Sequence, residues 1–214
     1  MNIPVTSTLN HLIVVDVQPG YYQACHEIIP EVIEKMNNTN QKIIFFYVGK
    51  EFNLDTKDDM IGFLLENGLD ETTLDRTYFI EKEYGFFRSW MDNRIEHDVI
   101  VRAIKVMHED KTYDSRNFSE TQWSRILIDK VSLEHEKFLF EDHIFYPYFN
   151  NKPFMNNSDG FELIGGSRHE CLEEINLYLK ALGKKTSIVE ELTYGADSFN
   201  PHSTNTGKKK KRKY

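Results

Sequence analysis

The sequence predicts an α/β fold with three layers, in which helices cover both faces of a mainly parallel sheet. Short apolar runs rich in Val, Ile and Phe recur along the chain, and such runs are typical of strands buried on both faces. Segments with helical periodicity follow two of these runs, at residues 22–36 and 170–182. A strand–helix–strand order predicts a parallel pair joined by a right-handed crossover, so both units indicate a parallel sheet.

The first strand–helix–strand unit begins near the N-terminus. Residues 11–16 (HLIVVD) predict a strand, and residues 22–36 predict a helix because their apolar positions recur at helical steps. A polar loop at residues 37–40 ends this helix. Residues 42–48 (KIIFFYV) then form an unbroken β-branched and aromatic run, which predicts the second strand.

The second unit lies near the C-terminus. Residues 161–164 predict a strand, which leads into the glycine pair Gly165 and Gly166. A helix is expected from about residue 170 to residue 182, with Gly183 as its C-terminal cap. Residues 186–189 predict the strand that follows.

The middle of the chain has weaker patterns. Residues 60–67 predict a short helix, and residues 90–107 have helical spacing in places, although residues 98–102 would equally suit a strand. Further along, we expect a capped helix at 119–128, a strand at 137–140 and a surface loop at 145–160. The sequence therefore predicts one domain over residues 1–200, with an atypical segment at about 90–160.

Charge is distributed unevenly between the body of the chain and its C-terminal end. The chain has 26 basic and 34 acidic residues, for a net charge of −8. Six basic residues occupy positions 208–213, so residues 1–207 carry 20 basic and 34 acidic residues, a net −14. An acidic body is a poor match for phosphate backbones, so nucleic-acid binding is expected only through the tail. We interpret residues 201–214 as a disordered basic tail, and a solvated end is favoured over a nucleic-acid contact or a localisation signal.

Other composition features limit the function classes further. No apolar window approaches the roughly 18 residues of a membrane span, and the N-terminal segment lacks the basic start of a secretory signal, so we expect a cytoplasmic protein without a membrane partner. Cys25 and Cys171 are too few for a disulfide framework. No zinc-type Cys/His spacing occurs, so we expect no metal and no cofactor.

Cys171 is the strongest candidate nucleophile. It follows the Gly165–Gly166 turn and lies in the first turn of a predicted helix, where the helix dipole lowers the pKa of a thiol and backbone N–H groups can receive an oxyanion. A buried cysteine that packs as a small hydrophobe fits the local sequence equally well. Asp16, at the end of the first predicted strand, is a candidate base for this thiol, although alone it would suit a loop cap.

Residues 11–50 and 161–195 together resemble the isochorismatase-like cysteine hydrolases, the superfamily that includes the nicotinamidases. The strand at 12–18 (LIVVDVQ) ends in Asp-x-Gln, as the first strand of that family does. Gly165 and Cys171 stand six positions apart between a strand and a helix, as in the family's nucleophile region. The resemblance implies that Asp16 and Cys171 are catalytic, and that the backbone N–H groups of Ser167 and Cys171 form an oxyanion hole.

The family's third catalytic residue is a lysine between these two positions. Lys82, in residues 80–87 (IEKEYGFF), is the better match, and it would hold the carboxylate and the thiolate in place. It precedes Cys171 by 89 positions, which implies a large insertion at 90–160. A second alignment places this position at Glu141, Asp142 or His143, which would replace the lysine by an acid or a histidine.

Substrate binding is assigned to residues around these three. Gln18 belongs to the Asp-x-Gln motif, and Arg168 with His169 would contact an anionic substrate or simply face solvent. Tyr84 and Phe87 would form an aromatic wall for a planar ligand, or part of the core. Residues 50–59 contain no histidine, so the resemblance does not extend to the metal site of the nicotinamidases.

The resemblance implies a cysteine hydrolase that cleaves the C–N bond of a small amide or related substrate through a thioester. The alternative is an inactive member of the same fold, used as a small-molecule-binding or protein-interaction module. A small-molecule substrate is the expected partner, and the family resemblance also makes a homo-oligomer a reasonable expectation.

Overall fold

A computed structural model describes residues 11–49, 55–82, 96–109 and 160–195 of the chain. The five strands are β1 (His11–Val15), β2 (Lys42–Val48), β3 (Thr77–Lys82), β4 (Gly160–Gly165) and β5 (Lys185–Thr193). The α-helices are α1 (Tyr22–Cys25), α2 (Ile29–Asn38), α3 (Lys57–Glu66), α4 (Glu71–Leu74), α5 (His97–Glu109) and α6 (Cys171–Ala181), and a 3-10 turn at Pro19–Tyr21 precedes α1. In this part of the chain, no helix is both long enough and apolar enough to cross a membrane.

The five strands form one sheet in the order β3-β2-β1-β4-β5, and every neighbouring pair is parallel. The predicted α/β class with its parallel sheet is therefore confirmed. Strand β1 lies at the centre, where Val14 pairs with Phe45 of β2 on one side and with Ile164 of β4 on the other. The chain adds strands outward from β1 to β3 and then returns to the opposite side of β1 for β4 and β5.

This strand order places helices on both faces of the sheet. Right-handed crossovers that run in opposite directions across a sheet put their helices on opposite faces. On one face, Leu12 and Val14 belong to a buried cluster with apolar side chains of α2 and α3. Helix α6, which connects β4 to β5, packs against both of these strands and against α5. Burial on two faces explains why all five residues of β1 are buried, and why the strand is a continuous apolar run.

The predicted helix at 22–36 is divided into two helices in the structure. Helix α1 ends at Cys25, and α2 begins at Ile29 with Pro30 in its first turn. Proline has no N–H group, and its ring collides with the carbonyl four residues earlier, so it suits a first turn and interrupts a continuous helix. The apolar periodicity continues across this break, which is why the sequence pattern indicates a single helix.

Several other elements differ from the sequence prediction or decide between its alternatives, among them α4, which was not predicted, and β5, which extends to Thr193. Strand β3 was not predicted, because this edge strand has partly exposed side chains and no continuous apolar run. Helix α3 begins at Lys57 rather than Met60, since Thr56 and Asp59 form a reciprocal capping box. Residues 98–102 are helical, within α5. The predicted helix at 119–128, strand at 137–140 and loop at 145–160 lie outside the described residues, as does the tail at 201–214.

Candidate active site

The candidate site lies at the edge of the sheet where the parallel strands have their carboxyl ends. Asp16 follows β1, Lys82 is the last residue of β3, and Gly165 ends β4 just before the turn that leads to Cys171. In open parallel sheets, ligands bind beyond these ends at the point where the strand order reverses. Here the order reverses beside β1, so Asp16 lies at the reversal point.

Asp16 has an unusual backbone conformation. Its φ of 53° lies in the left-handed region, which a residue with a side chain seldom adopts. Its N–H group donates a hydrogen bond to the Phe46 carbonyl at 2.9 Å, and the residue is buried. Such conformations persist where surrounding contacts hold them, and they cluster at functional sites. The backbone thus turns out of β1 at Asp16 while the carboxylate stays inside the protein.

Lys82 forms an ion pair with this buried carboxylate. The Lys82 Nζ atom lies 2.9 Å from Asp16 Oδ2, and the two side chains are only 3% and 1% exposed. Burial raises the pKa of Asp16, and the positive charge of Lys82 opposes that rise. Two charges taken out of water need each other as partners, so each of these residues depends on the other for its ionised form.

Cys171 is the first residue of α6, and its thiol is close enough to the Asp16 carboxylate for each group to shift the pKa of the other. Burial raises the pKa of the Cys171 thiol well above its usual range; the charge of Lys82 opposes this rise, whereas Asp16 and Glu174 add to it. The direction is opposite to the one expected from the helix dipole. Desolvation and the two neighbouring carboxylates therefore favour the neutral form of the thiol.

The turn between β4 and α6 supplies backbone donors beside the thiol. Gly165 has a φ of 97°, and a Cβ atom there would lie 2.2 Å from the Val15 carbonyl oxygen, so only glycine fits. Gly166 donates its N–H group to that same oxygen at 2.9 Å, and the Gly166–Ser167 peptide bond is cis. Within the described residues, the N–H groups of Ser167 and Cys171 have no acceptor. These are the two N–H groups that the resemblance assigns to an oxyanion hole.

The Ser167 side chain is a polar group that the sequence interpretation did not use. Ser167 is buried, and its hydroxyl oxygen has no hydrogen-bond partner among the described residues. Buried hydroxyl groups normally have a partner, so this one is available to a bound molecule.

Gln18, expected to bind substrate, is engaged by the protein itself. Its side-chain amide donates to the Val48 carbonyl at 3.1 Å and to Asp55 Oδ2 at 2.8 Å, and its oxygen accepts the Val48 N–H at 2.9 Å. Asp55 also accepts the Gly20 N–H. The buried Gln18 therefore fastens the segment after β1 to the end of β2.

Arg168 is engaged by carboxylates of the protein, and His169 faces solvent, which is one of its two expected roles. The Arg168 guanidinium is held by Glu190, at 2.7 and 2.8 Å, and by Glu173, at 2.9 Å. These contacts raise the pKa of Arg168 and lower that of Glu190. Arg168 thus connects the turn before α6 to β5, with its charge already balanced by two carboxylates, while His169 is exposed.

The remaining expected residues lie outside the described part of the chain. These are Tyr84 and Phe87 of the aromatic wall, and Glu141, Asp142 and His143, the alternatives to Lys82. In the segments that the structure describes, no group of three or more His, Cys, Asp or Glu side chains is arranged to hold a metal ion.

The arrangement combines a buried carboxylate, a neutral thiol and an ammonium group beside a turn with unpaired N–H donors. It is suited to proton transfer from sulfur to a carboxylate, with a covalent bond formed at sulfur. The chain matches no protein-family model, and no curated protein sequence matches it.

Proposed function

We propose that this protein is a cysteine hydrolase of the isochorismatase-like type, which cleaves the C–N bond of a small amide or a related substrate. The observation that carries the proposal is the position of the Asp16 carboxylate, which lies 2.9 Å from the Lys82 ammonium and close enough to the Cys171 thiol for the two groups to shift each other's pKa. The three residues come from distant parts of the chain. Residues that only stabilise one loop would not need to come together from distant segments. Nucleophilic catalysis does require the nucleophile, the base and the balancing charge to lie side by side.

Asp16 is the proton acceptor in this proposal. Burial raises its pKa, which makes the carboxylate a better base than one in water. As the sulfur attacks the substrate carbonyl carbon, the thiol proton passes to Asp16, and Lys82 balances the negative charge that moves within the site. The neutral resting thiol fits this sequence, because ionisation then accompanies attack and does not precede it.

The turn before α6 would stabilise the tetrahedral intermediate. The N–H groups of Ser167 and Cys171 donate to the oxyanion, and the first turn of α6 adds its dipole. When the C–N bond breaks, the amine leaves with the proton held by Asp16. Water then attacks the thioester carbon and gives one proton to Asp16, and this proton returns to the sulfur as the carboxylic acid is released.

A binding module without catalysis is the second candidate function. The raised pKa of the Cys171 thiol favours it, since a thiol that stays neutral and buried is a poor nucleophile on its own. The two functions differ in one property: only the hydrolase transfers an acyl group to Cys171.

Acylation with p-nitrophenyl acetate separates the two functions. We expect release of p-nitrophenolate faster than from free cysteine, with one acetyl group found on Cys171 by peptide mass spectrometry. Cys171→Ala should lose the reaction. Cys25→Ala is the matched control, because Cys25 is the other free cysteine of the described residues and burial raises its pKa to about 11. A panel of small primary amides, followed by ammonia release, then identifies the substrate class.

Two outcomes would contradict the hydrolase. One is acylation that persists in Cys171→Ala and disappears in Cys25→Ala. The other is a wild-type rate no greater than that of free cysteine, with no ammonia released from any amide, which would favour the binding module.

A further inference from the structure

Tyr194, immediately after β5, contacts both halves of the candidate site. Its hydroxyl donates a hydrogen bond to the backbone carbonyl of Asp16 at 2.8 Å. Its ring packs directly against Gly166, where an added Cβ atom would lie 2.4 Å from the ring carbons. Tyr194 is only 5% exposed, so these contacts are made inside the protein.

The backbone of Tyr194 binds the turn that carries the nucleophile. Its N–H group donates to the Gly165 carbonyl at 3.2 Å, and its carbonyl accepts the Arg168 N–H at 2.7 Å. The β4–β5 pairing is irregular between Leu163 and Gly165, and Thr193 is the register partner of Gly165. This shift places Tyr194 beside the turn from Gly165 to Arg168.

The contact with Asp16 bears on the conformation of the proposed base. Asp16 is held in the left-handed region, and both of its backbone polar groups have partners elsewhere in the chain: Phe46 of β2 accepts its N–H, and Tyr194, just after β5, donates to its carbonyl. A conformation that local sterics disfavour is kept by such contacts. The direction of the Asp16 carboxylate follows from that backbone conformation.

We propose that Tyr194 is a positioning residue that aligns Asp16 with Cys171. Its hydroxyl keeps Asp16 in the conformation that directs the carboxylate to Lys82 and the thiol. Its ring and backbone hold the turn that precedes Cys171. The inference rests on the proposed hydrolase function. It adds that one residue aligns the base and the nucleophile, through the backbone of Asp16 on one side and the turn before α6 on the other.

Tyr194→Phe tests the proposal, because it removes the hydroxyl and leaves the ring against Gly166. With the carboxylate displaced from the thiol, acylation of Cys171 by p-nitrophenyl acetate should slow by about tenfold or more. The thiol pKa should fall, because Asp16 contributes to raising it. Alkylation by iodoacetamide, followed from about pH 6 to about pH 11, should therefore rise at lower pH than in the wild type.

A loss of stability alone would not produce this combination of slower acylation and easier thiol ionisation. Tyr178→Phe is the control, since Tyr178 is another buried tyrosine, within α6. It should change the melting temperature without moving the alkylation profile. Gly166→Ala is a second perturbation, because its added methyl group pushes the Tyr194 ring away while the hydroxyl is retained. It should give the same combination as Tyr194→Phe.

The outcomes separate this inference from the proposed function. If wild-type Cys171 is acylated and Tyr194→Phe keeps both the wild-type acylation rate and the wild-type alkylation profile, the positioning role is overturned. If the wild type is not acylated, the hydrolase proposal fails, and the alkylation profile alone decides whether Tyr194 holds Asp16 against the thiol. An unshifted profile in both Tyr194→Phe and Gly166→Ala then overturns the inference.

Discussion

The Lys82 ammonium lies 2.9 Å from the Asp16 carboxylate, although strand β2 separates the two strands that carry them. The contact is possible because all strands are parallel, so their carboxyl ends meet at one edge of the sheet. The long lysine side chain spans the width of β2. It brings a positive charge to the buried carboxylate, and this charge opposes the rise in the Asp16 pKa that burial causes.

Removing one member of this pair should destabilise the fold. Lys82→Met leaves a buried carboxylate without its cation, for which we expect a loss of about 3–5 kcal/mol in the free energy of unfolding. Urea denaturation at neutral pH measures it. The control is Lys35→Met, because Lys35 pairs with Glu162 at a similar distance, 2.8 Å, but with 34% and 17% exposure. That variant should lose at most about 1 kcal/mol. Equal losses in the two variants would contradict the claim that burial makes the Lys82–Asp16 pair more important for stability than the Lys35–Glu162 pair.

Lys82 and Asp16 should affect the reactivity of Cys171 in opposite directions. The charge of Lys82 lowers the thiol pKa and that of Asp16 raises it. At a fixed pH, Lys82→Met should therefore slow alkylation by iodoacetamide, and Asp16→Asn should accelerate it. The rates are measured by mass spectrometry in a Cys25→Ala background, where Cys171 is the remaining cysteine. Shifts of the same sign in both variants would show that the thiol does not lie between these charges as described.

Alanine at Gly165 should be far more costly than at another glycine with the same backbone angle. Gly165 and Gly68 have φ values of 97° and 94°, but an added Cβ meets the Val15 carbonyl oxygen at Gly165 and nothing within 4 Å at Gly68. The left-handed backbone alone costs about 1–2 kcal/mol. We expect about that loss for Gly68→Ala and at least about 3 kcal/mol for Gly165→Ala, measured by urea denaturation. Equal stability of the two variants would contradict the close approach of the Val15 carbonyl oxygen to Gly165.

His11 should make stability depend on pH. Burial and the charge of Lys42 lower its pKa in the folded protein below its ordinary value of 6.5. Below about pH 6.5, His11 therefore binds more protons in the unfolded chain than in the folded one. The free energy of unfolding keeps its full value above that pH and decreases on acidification. The slope from one group is at most about 1.4 kcal/mol per pH unit. Urea denaturation should show that His11→Phe removes this slope, whereas His26→Phe, at an exposed position, retains it.

Much of the sheet could be predicted because its central strands are buried on both faces. Residues 42–48 form β2 as expected, and β1 and β4 lie within a residue or two of their predicted bounds. Strand β3 could not be predicted in this way, because it is not buried on both faces. It lies at the edge, Tyr78 is 60% exposed, and its residues do not form an apolar run. Periodicity detects burial, and a strand without continuous burial leaves a weak signal.

The site was predictable where it follows the strands directly. Asp16 and Cys171 could be selected because a polar or nucleophilic residue followed an apolar run, and Lys82 because of its resemblance to a family pattern. The roles of Gln18 and Arg168 could not be predicted, since their partners Asp55 and Glu190 depend on how loops meet in space. Tyr194 shows the same limit. Its contact joins residues 178 positions apart, and a tyrosine after a strand carries no signal of it.

The central place of β1 has a consequence for how the protein is built. The strands β1, β2 and β3 are neighbours both in the sheet and along the chain. The half of the candidate site that contains Asp16 and Lys82 therefore requires only short loop closures. Strand β4 pairs with β1 across most of the chain, and such non-local contacts form late and slowly. We therefore expect the half with the base to assemble first during synthesis, and the thiol to join it only when the last strands arrive. A chain released early would carry the carboxylate and the lysine but no nucleophile.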